Sequence, residues 1–424
     1  MDENFLEGSC VELLGERKVF AHDVMTIPGI ERILDSIPDA CLYDRVIPVA
    51  SEGDVVCLRE EADDAYLDWL ESAGLGTRNV CVLPGPLREP VSDRIVRAGA
   101  KAEIEKFLRT RSGPAVFSPY FAGEPERKAS EYLEIPMYSD TRLAWKLNSK
   151  VHFKDMCRTL GVPVLRSTVF RADEGAEALA ARVADMLDET GVACIRGEHS
   201  SSASAMYLFP KVDEELIRKV LRESDKGEKY VVEPFCKKVL SSPSSTWFIT
   251  RERKIYHLRT SNQLLDRGVV HCGNEFPVAF DVPLVKAHSL KIARHFLHEN
   301  FIGPFGFDFI ETGEGMFATE CNPRVTGAMY PWDIVHILEK RHGPVAAARS
   351  RNLHLPKGSA GFSYLRRIWK DLLYDGRRKH GVLVPFNVGP LREGKVTAVG
   401  TGASRADVNE LFEEAVRRVE DSSR

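Results

Sequence analysis

Short apolar runs at 41–49, 80–83, 115–117 and 135–138 alternate with segments such as 63–72 and 91–109, whose apolar residues recur at intervals of three and four. That is the strand–helix alternation of an open α/β layer, and it predicts a Rossmann-like α/β domain over 1–145. The stretch carries no G-x-G-x-x-G, so no dinucleotide site is expected in it, and Pro84-Gly85-Pro86 reads as a turn. A second unit over 146–237 opens with a helix near 148–160, stopped by Gly161-Val162-Pro163. Strand 164–170, helix 176–189 and strand 192–196 follow, then a polar small-residue segment at 197–205 and a strand at 206–209. Two extended runs joined by such a segment predict a hairpin with a mobile tip, and helix 214–223 and strand 230–235 complete an α+β subdomain.

From 246 onward the pattern turns to antiparallel strands at 247–250, 254–259, 306–311 and 316–321, the last pair joined by a glycine-bearing turn at 312–315. In the tail of this third unit, 238–424, Ser404 caps a helix whose apolar face is Val408, Leu411, Phe412, Ala415, Val416 and Val419. A length of 424 residues agrees with several domains at about 150 residues each. With 43% hydrophobic and 28% charged residues the chain reads as globular, which excludes disorder and collagen.

Charge and cysteine usage narrow the partners. Lys and Arg total 58 against 62 Asp and Glu, a net charge of −4 with no long like-charge run, so nucleic acid is not expected as a partner. No stretch approaches the ~18 apolar residues of a membrane span, and MDENFLEGSC is acidic where a signal peptide is basic and then apolar. The nine cysteines are spread without a C-x-x-C, which predicts buried free thiols in a reducing compartment and a cytoplasmic location.

Candidate chemistry concentrates in 306–327. Side chains alternate along a strand, so Glu320, Asn322 and Arg324 share one face while Cys321 and Pro323 take the other, and the hairpin brings Asp308 alongside. Two carboxylates and an amide oxygen are hard donors suited to Mg²⁺, with Mn²⁺ as an alternative, and Arg324 adds a cationic fork for a phosphoryl or carboxylate oxygen. Cys321 is assigned to packing. No Ser/His/Asp or Cys/His arrangement stands out as a nucleophile system.

At Glu320-Cys-Asn-Pro-Arg324 the sequence resembles the ATP-grasp superfamily. The order of motifs continues the resemblance over about 145–330: Ser149-Lys150, Gly161-Val-Pro163, Cys194-Ile195-Arg196 where the family usually ends a strand in lysine, the small-residue loop at 199–205, and Val232-Glu233-Pro234-Phe235 at the hinge. It implies an ATP-grasp fold behind a Rossmann-like N-terminal domain, with ATP and Mg²⁺ as cofactors. Lys150 and Arg196 would neutralise phosphates beneath the loop carrying Ser201 and Ser202, which is serine-rich where many members are glycine-rich. Glu233 would accept from the ribose or lie near the adenine, with Phe235 and the backbone through Cys236 against the base. Asp308, Glu320 and Asn322 would hold the metal, and Arg324 would stabilise a phosphorylated intermediate.

The reaction so implied is an ADP-forming carboxylate–amine ligation through an acyl phosphate, joining an amino acid to a second amino acid or small peptide. Arg259 is nominated for the substrate carboxylate, with Gln263 and His271 as further candidates on a loop leaving the strand at 254–259. Among relatives the resemblance is to peptide ligases of the pheganomycin type. The tail is expected to supply part of the active-site wall or a homodimer contact, with simple packing as the alternative. Other readings are an ATP-grasp enzyme with a different acceptor, such as a carboxylase or a thiol or hydroxyl ligase, and a non-catalytic nucleotide-binding regulator.

Overall fold

Three sheets organise the chain. The structure is a computed structural model that describes residues 5–15, 17–32, 34, 42–109, 112–200, 205–266, 268–355 and 361–422. The first sheet is parallel, in the order Val80–Val82, Val55–Leu58, Arg17–Ala21, Ala115–Pro119. Helices flank it, and its strands are accordingly apolar almost throughout, with Val19, Val55, Cys81 and Phe117 buried in one cluster.

Two strands expected from the pattern are not strands. Within 41–49, Ile47–Val49 forms a 3₁₀ turn: Pro48 has no N–H to give a ladder, and Val46, Ile47 and Val49 are buried in a turn instead. The stretch 135–138 contributes only an isolated bridge, Phe117 to Met137. Their places are taken by Arg17–Ala21 and Val55–Leu58, whose flanking charges hid them. Lys18 and Asp54 form a buried ion pair at 3.2 Å, and the Lys18 N–H also donates to Asp54.

The second sheet is antiparallel, ordered Thr168–Arg171, Lys229–Pro234, Ala193–Gly197, Met206–Phe209. The helices Ala176–Thr190 and Glu214–Glu223 pack on the face that carries Phe170, Ile195 and Val232. Alternation then sends Arg196 and Glu233 to the opposite face.

The third sheet has nine strands. It runs Gly315–Asn322, Gly303–Thr312, Pro243–Ile249, Ile255–Asp266, Val270–Phe276, Ala347–His354, Lys395–Gly402, Val382–Asn387, and Leu6–Glu7 adds to Ile255–Asp266 in parallel. The segment after Arg259, expected as a loop, is strand as far as Asp266. Its polar residues satisfy one another inside the sheet: Thr260 meets the Ser245 hydroxyl at 3.2 Å, and Asn274 donates to Ser261 at 3.2 Å. Helix Val282–His298 and helix Lys150–Thr159 close one core around Phe305 and Phe307.

The tail continues this sheet and docks on the first domain. Trp69 Nε1 donates to the Tyr374 carbonyl at 3.2 Å and the Tyr66 hydroxyl to the Pro385 carbonyl at 2.8 Å, while Trp369, Phe386 and the helix Arg405–Ser422 join the same core. Ser404 accepts from the Asp407 N–H at 3.2 Å, capping that helix as expected.

Candidate active site

The hairpin Gly303–Thr312/Gly315–Asn322 sets Asp308 opposite Glu320 and Gly306 opposite Asn322. Its tight connection ends at Gly315, whose φ of +138° lies where residues with a Cβ are strained. Asp308 accepts from Asn322 Nδ2 at 3.0 Å and from Gln263 Nε2 at 3.1 Å. Burial, and then the charge of Glu320, push the Asp308 carboxyl up to about 7. Burial acts in the same direction on Glu320, but Lys150, Arg196 and Arg324 outweigh it and hold that carboxyl below its ordinary value.

The second sheet supplies the cations. Arg196 Nε donates to Glu233 at 2.7 Å and Nη2 to the Thr319 carbonyl at 3.2 Å, and Nη1 reaches Glu320 at 3.5 Å. Lys150 opens the helix Lys150–Thr159, where Ser149 accepts from the His152 N–H at 3.1 Å as the cap. Its ammonium lies 3.4 Å from Glu320 and donates to the Ser200 carbonyl. One turn on, Lys154 is buried with its ammonium 2.6 Å from the other Glu233 oxygen. Sequence reading passed over Lys154, although a spacing of four places it on the same helix face as Lys150.

Both Glu233 oxygens are thus taken by Arg196 and Lys154. The side chain braces two cations, with Oε1 accepting from Arg196 and Oε2 making no hydrogen bond beside the Lys154 ammonium. Phe235 and Cys236 lie half-buried just past the strand Lys229–Pro234, and the Phe235 N–H is spent on the Val192 carbonyl at 2.8 Å. Ser201 and Ser202 lie outside the described residues.

Just past the hairpin Arg324 rests 5.5 Å from the centre of the Tyr120 ring, and its Nε has no hydrogen-bond partner. Tyr120 stacks on Tyr330 at 6.5 Å, and the Tyr330 hydroxyl bonds His22 Nδ1 at 2.9 Å. His22 Nε2 meets the Ser118 hydroxyl at 3.2 Å, and burial drives this imidazole down to about 3, so it is neutral at pH 7. Across the loop, a Cβ at Gly327 would stand 3.7 Å from His271 and 3.8 Å from Arg45. His271 is bonded to Asn274 at 2.7 Å and burial lowers its pKa. Tyr120, Tyr330, His22 and Arg45 carried no motif, so only the fold reveals them.

Arg259 is not brought to this cluster. Its guanidinium bonds Glu339 at 3.1 Å and packs 4.6 Å from Phe276 and 5.7 Å from Trp332, against the helix Met329–His342. That internal carboxylate takes one nitrogen of the guanidinium expected to meet a substrate. Gln263, by contrast, reaches Asp308 directly.

No group of three or more His, Cys, Asp or Glu is placed to hold a metal among the described residues. A cation at this hairpin would therefore take two carboxylates, an amide oxygen and outside ligands. Asp308, Glu320 and Asn322 carry hard oxygen donors of this kind, and the Glu320 charge that helps to raise the Asp308 carboxyl is one that such an ion would offset.

No family profile matches the sequence, and no curated protein does. Solved structures do match. The N5-carboxyaminoimidazole synthetase of Staphylococcus aureus has a TM-score of 0.54 at 11% identity, covering 98% of this chain and 100% of its own. The N5-carboxyaminoimidazole ribonucleotide synthetase of Thermus thermophilus scores 0.56 at 14%, covering 95% and 98%. The biotin carboxylase domain of the Hydrogenobacter thermophilus 2-oxoglutarate carboxylase, in complex with MgADP, ADP and bicarbonate, scores 0.58 at 9%, covering 95% and 89%. These are ATP-grasp structures, and the likeness over nearly the whole chain shows that fold here. No helix among the described residues is long and apolar enough to cross a membrane.

Proposed function

We propose that this chain is an ATP-dependent, ADP-forming carboxylate–amine ligase. The observation that carries the reading is the convergence on Glu320 of Lys150 and Arg196, with Arg324 adding its charge and Asp308 and Asn322 beside it, where the second sheet meets the third. A polyphosphate needs concentrated positive charge, and an acyl phosphate needs shelter from water. Cations contributed from both sides of the junction between the two sheets would supply the charge, and the burial of the cluster the shelter.

In this mechanism Lys150 and Arg196 hold the phosphates, and the Glu233 brace fixes Arg196 and Lys154 so that little reorganisation accompanies binding. Asp308, Glu320 and Asn322 would hold Mg²⁺, which would draw charge off the phosphates when bound. The substrate carboxylate oxygen attacks the γ-phosphorus and ADP departs. The amine nitrogen then attacks the acyl carbon, phosphate leaves, and the amine releases a proton. Arg324, with an unspent Nε, faces the charge that builds on the transferred phosphoryl group.

The finer reading is that the carboxylate and amine belong to amino acids or small peptides, as in peptide ligases of the pheganomycin type. A second reading has bicarbonate as the carboxylate, and the bicarbonate bound to the biotin carboxylase domain of similar fold favours it. The chain is incubated with Mg·ATP, bicarbonate and an amino-acid panel, and ADP, phosphate and product mass are measured. A product joined by loss of water supports peptide ligation, and a gain of carbon dioxide supports carboxylation. AMP with pyrophosphate would contradict both.

A further inference from the structure

A cavity of about 270 Å³ opens at the carboxyl ends of the parallel strands Arg17–Ala21 and Val55–Leu58. That edge is where open α/β sheets collect ligands, because diverging connections leave a crevice beside the point of strand-order reversal. Here the order reverses between Arg17–Ala21 and Ala115–Pro119.

Which charges remain unspent on its walls decides what it can bind. Asp23 accepts from the Met25 and Val91 N–H groups at 2.8 and 2.5 Å, and Asp44 from Val388 and Gly389 at 2.8 and 3.0 Å. Asp63 accepts from Tyr66 and Phe362 at 3.1 and 2.7 Å, and Glu60 pairs with Arg392 at 2.6 Å. Glu61 is exposed to solvent. Arg59 is the reverse case: its side chain is 4% exposed, Nη1 donates to the Leu87 carbonyl, Asp23 lies 3.6 Å away, and Nε and Nη2 have no hydrogen-bond partner. A buried guanidinium with idle N–H groups is costly unless an acceptor meets them. Arg45 brings a second guanidinium to the same cavity, stacked 3.9 Å from the Tyr43 ring.

We infer that this cavity is an anion subsite in which Arg59 and Arg45 take a carboxylate or phosphate group of the acceptor substrate. The cavity and the Arg324 side of the active site are linked through the packing of the side chains between them. His22 lines the cavity and is bonded to Tyr330, which stacks on Tyr120 beneath Arg324. Arg45 also borders the Gly327 turn just after Arg324. The identity of the ligand as acceptor rests on the ligase reading, whereas the anion site stands on its own residues.

Inorganic phosphate and succinate are titrated calorimetrically into the full chain and into Arg59→Gln, Arg45→Gln and Arg324→Gln. One anion-binding event is expected to survive in Arg324→Gln and to weaken about tenfold or more in the other two. Should Arg59→Gln fail to fold, Arg45→Gln, whose side chain is partly exposed, carries the same test. Absence of anion binding to the unaltered chain, or loss in Arg324→Gln with none in Arg59→Gln and Arg45→Gln, overturns the subsite. During turnover, Arg45→Gln should raise KM for the acceptor and leave KM for ATP unchanged; an unchanged acceptor KM overturns the assignment to that substrate. If Mg·ATP does not bind the unaltered chain, the ligase reading fails, and the anion titration still decides the cavity.

Discussion

Arg196 Nη1 stands 3.5 Å from Glu320 Oε2, a contact that crosses from the second sheet to the third and ties the strand Ala193–Gly197 to the hairpin that carries Asp308. Its register has a local cause on each side. Alternation in Ala193–Gly197 turns Arg196 away from the helices, and pairing with Asp308 fixes Glu320. On the ligase reading, loss of Arg196 is felt first by the nucleotide.

Substituting Arg196→Gln or Lys150→Met should weaken Mg·ATP binding about 10–100-fold each, as expected for one charge-assisted contact to phosphate. Calorimetry with Mg·ATP checks this. Arg259→Gln should leave nucleotide affinity unchanged, since Arg259 is bonded to Glu339 away from the cluster.

Lys154→Met should destabilise the fold by about 3–5 kcal/mol, because it leaves Glu233 buried with one partner fewer. Urea unfolding measures it. A loss under about 1 kcal/mol would contradict the bracing role.

Glu126 gives a pH signature. Burial first, then Asp23, raise its carboxyl to about 8, and the Gly123 N–H donates to it at 3.0 Å. Between its ordinary value of 4.5 and about 8 the folded chain keeps a proton that the unfolded chain has released. The stability this group contributes is full below 4.5 and is lost as pH rises through about 8. The difference in unfolding free energy between the unaltered chain and Glu126→Gln should therefore move against the unaltered chain from about pH 6 to about pH 9; a flat difference would contradict it.

Trp69→Ala should cost about 3–5 kcal/mol and loosen the tail, since the indole is buried and bonded to the Tyr374 carbonyl. Proteolysis within 370–381 should become faster in the variant, and unchanged cutting would contradict the docking role.

Much of the cluster was legible because period-two alternation alone fixes which side chains share a strand face. Asp308, Glu320 and Asn322 needed no more than that, whereas Lys150 and Arg196 rest on the resemblance to the ATP-grasp order of motifs. What escaped has physical reasons. The buried Lys18–Asp54 pair disguised two central strands as polar segments, and internal hydrogen bonds among Ser245, Thr260, Ser261 and Asn274 made a strand read as a loop. Arg259 looked available because Glu339, eighty positions away in sequence, gives no local signal. Tyr120, Tyr330 and His22 come together only through the packing of the first domain on the helix Met329–His342.

Acyl-phosphate formation is tested most directly by oxygen transfer. A carboxylate substrate labelled with ¹⁸O in its carboxyl group is turned over with Mg·ATP and the amine, and the released phosphate is analysed by mass spectrometry. The account predicts ADP and phosphate carrying one labelled oxygen. Unlabelled phosphate, or AMP with pyrophosphate, would contradict it.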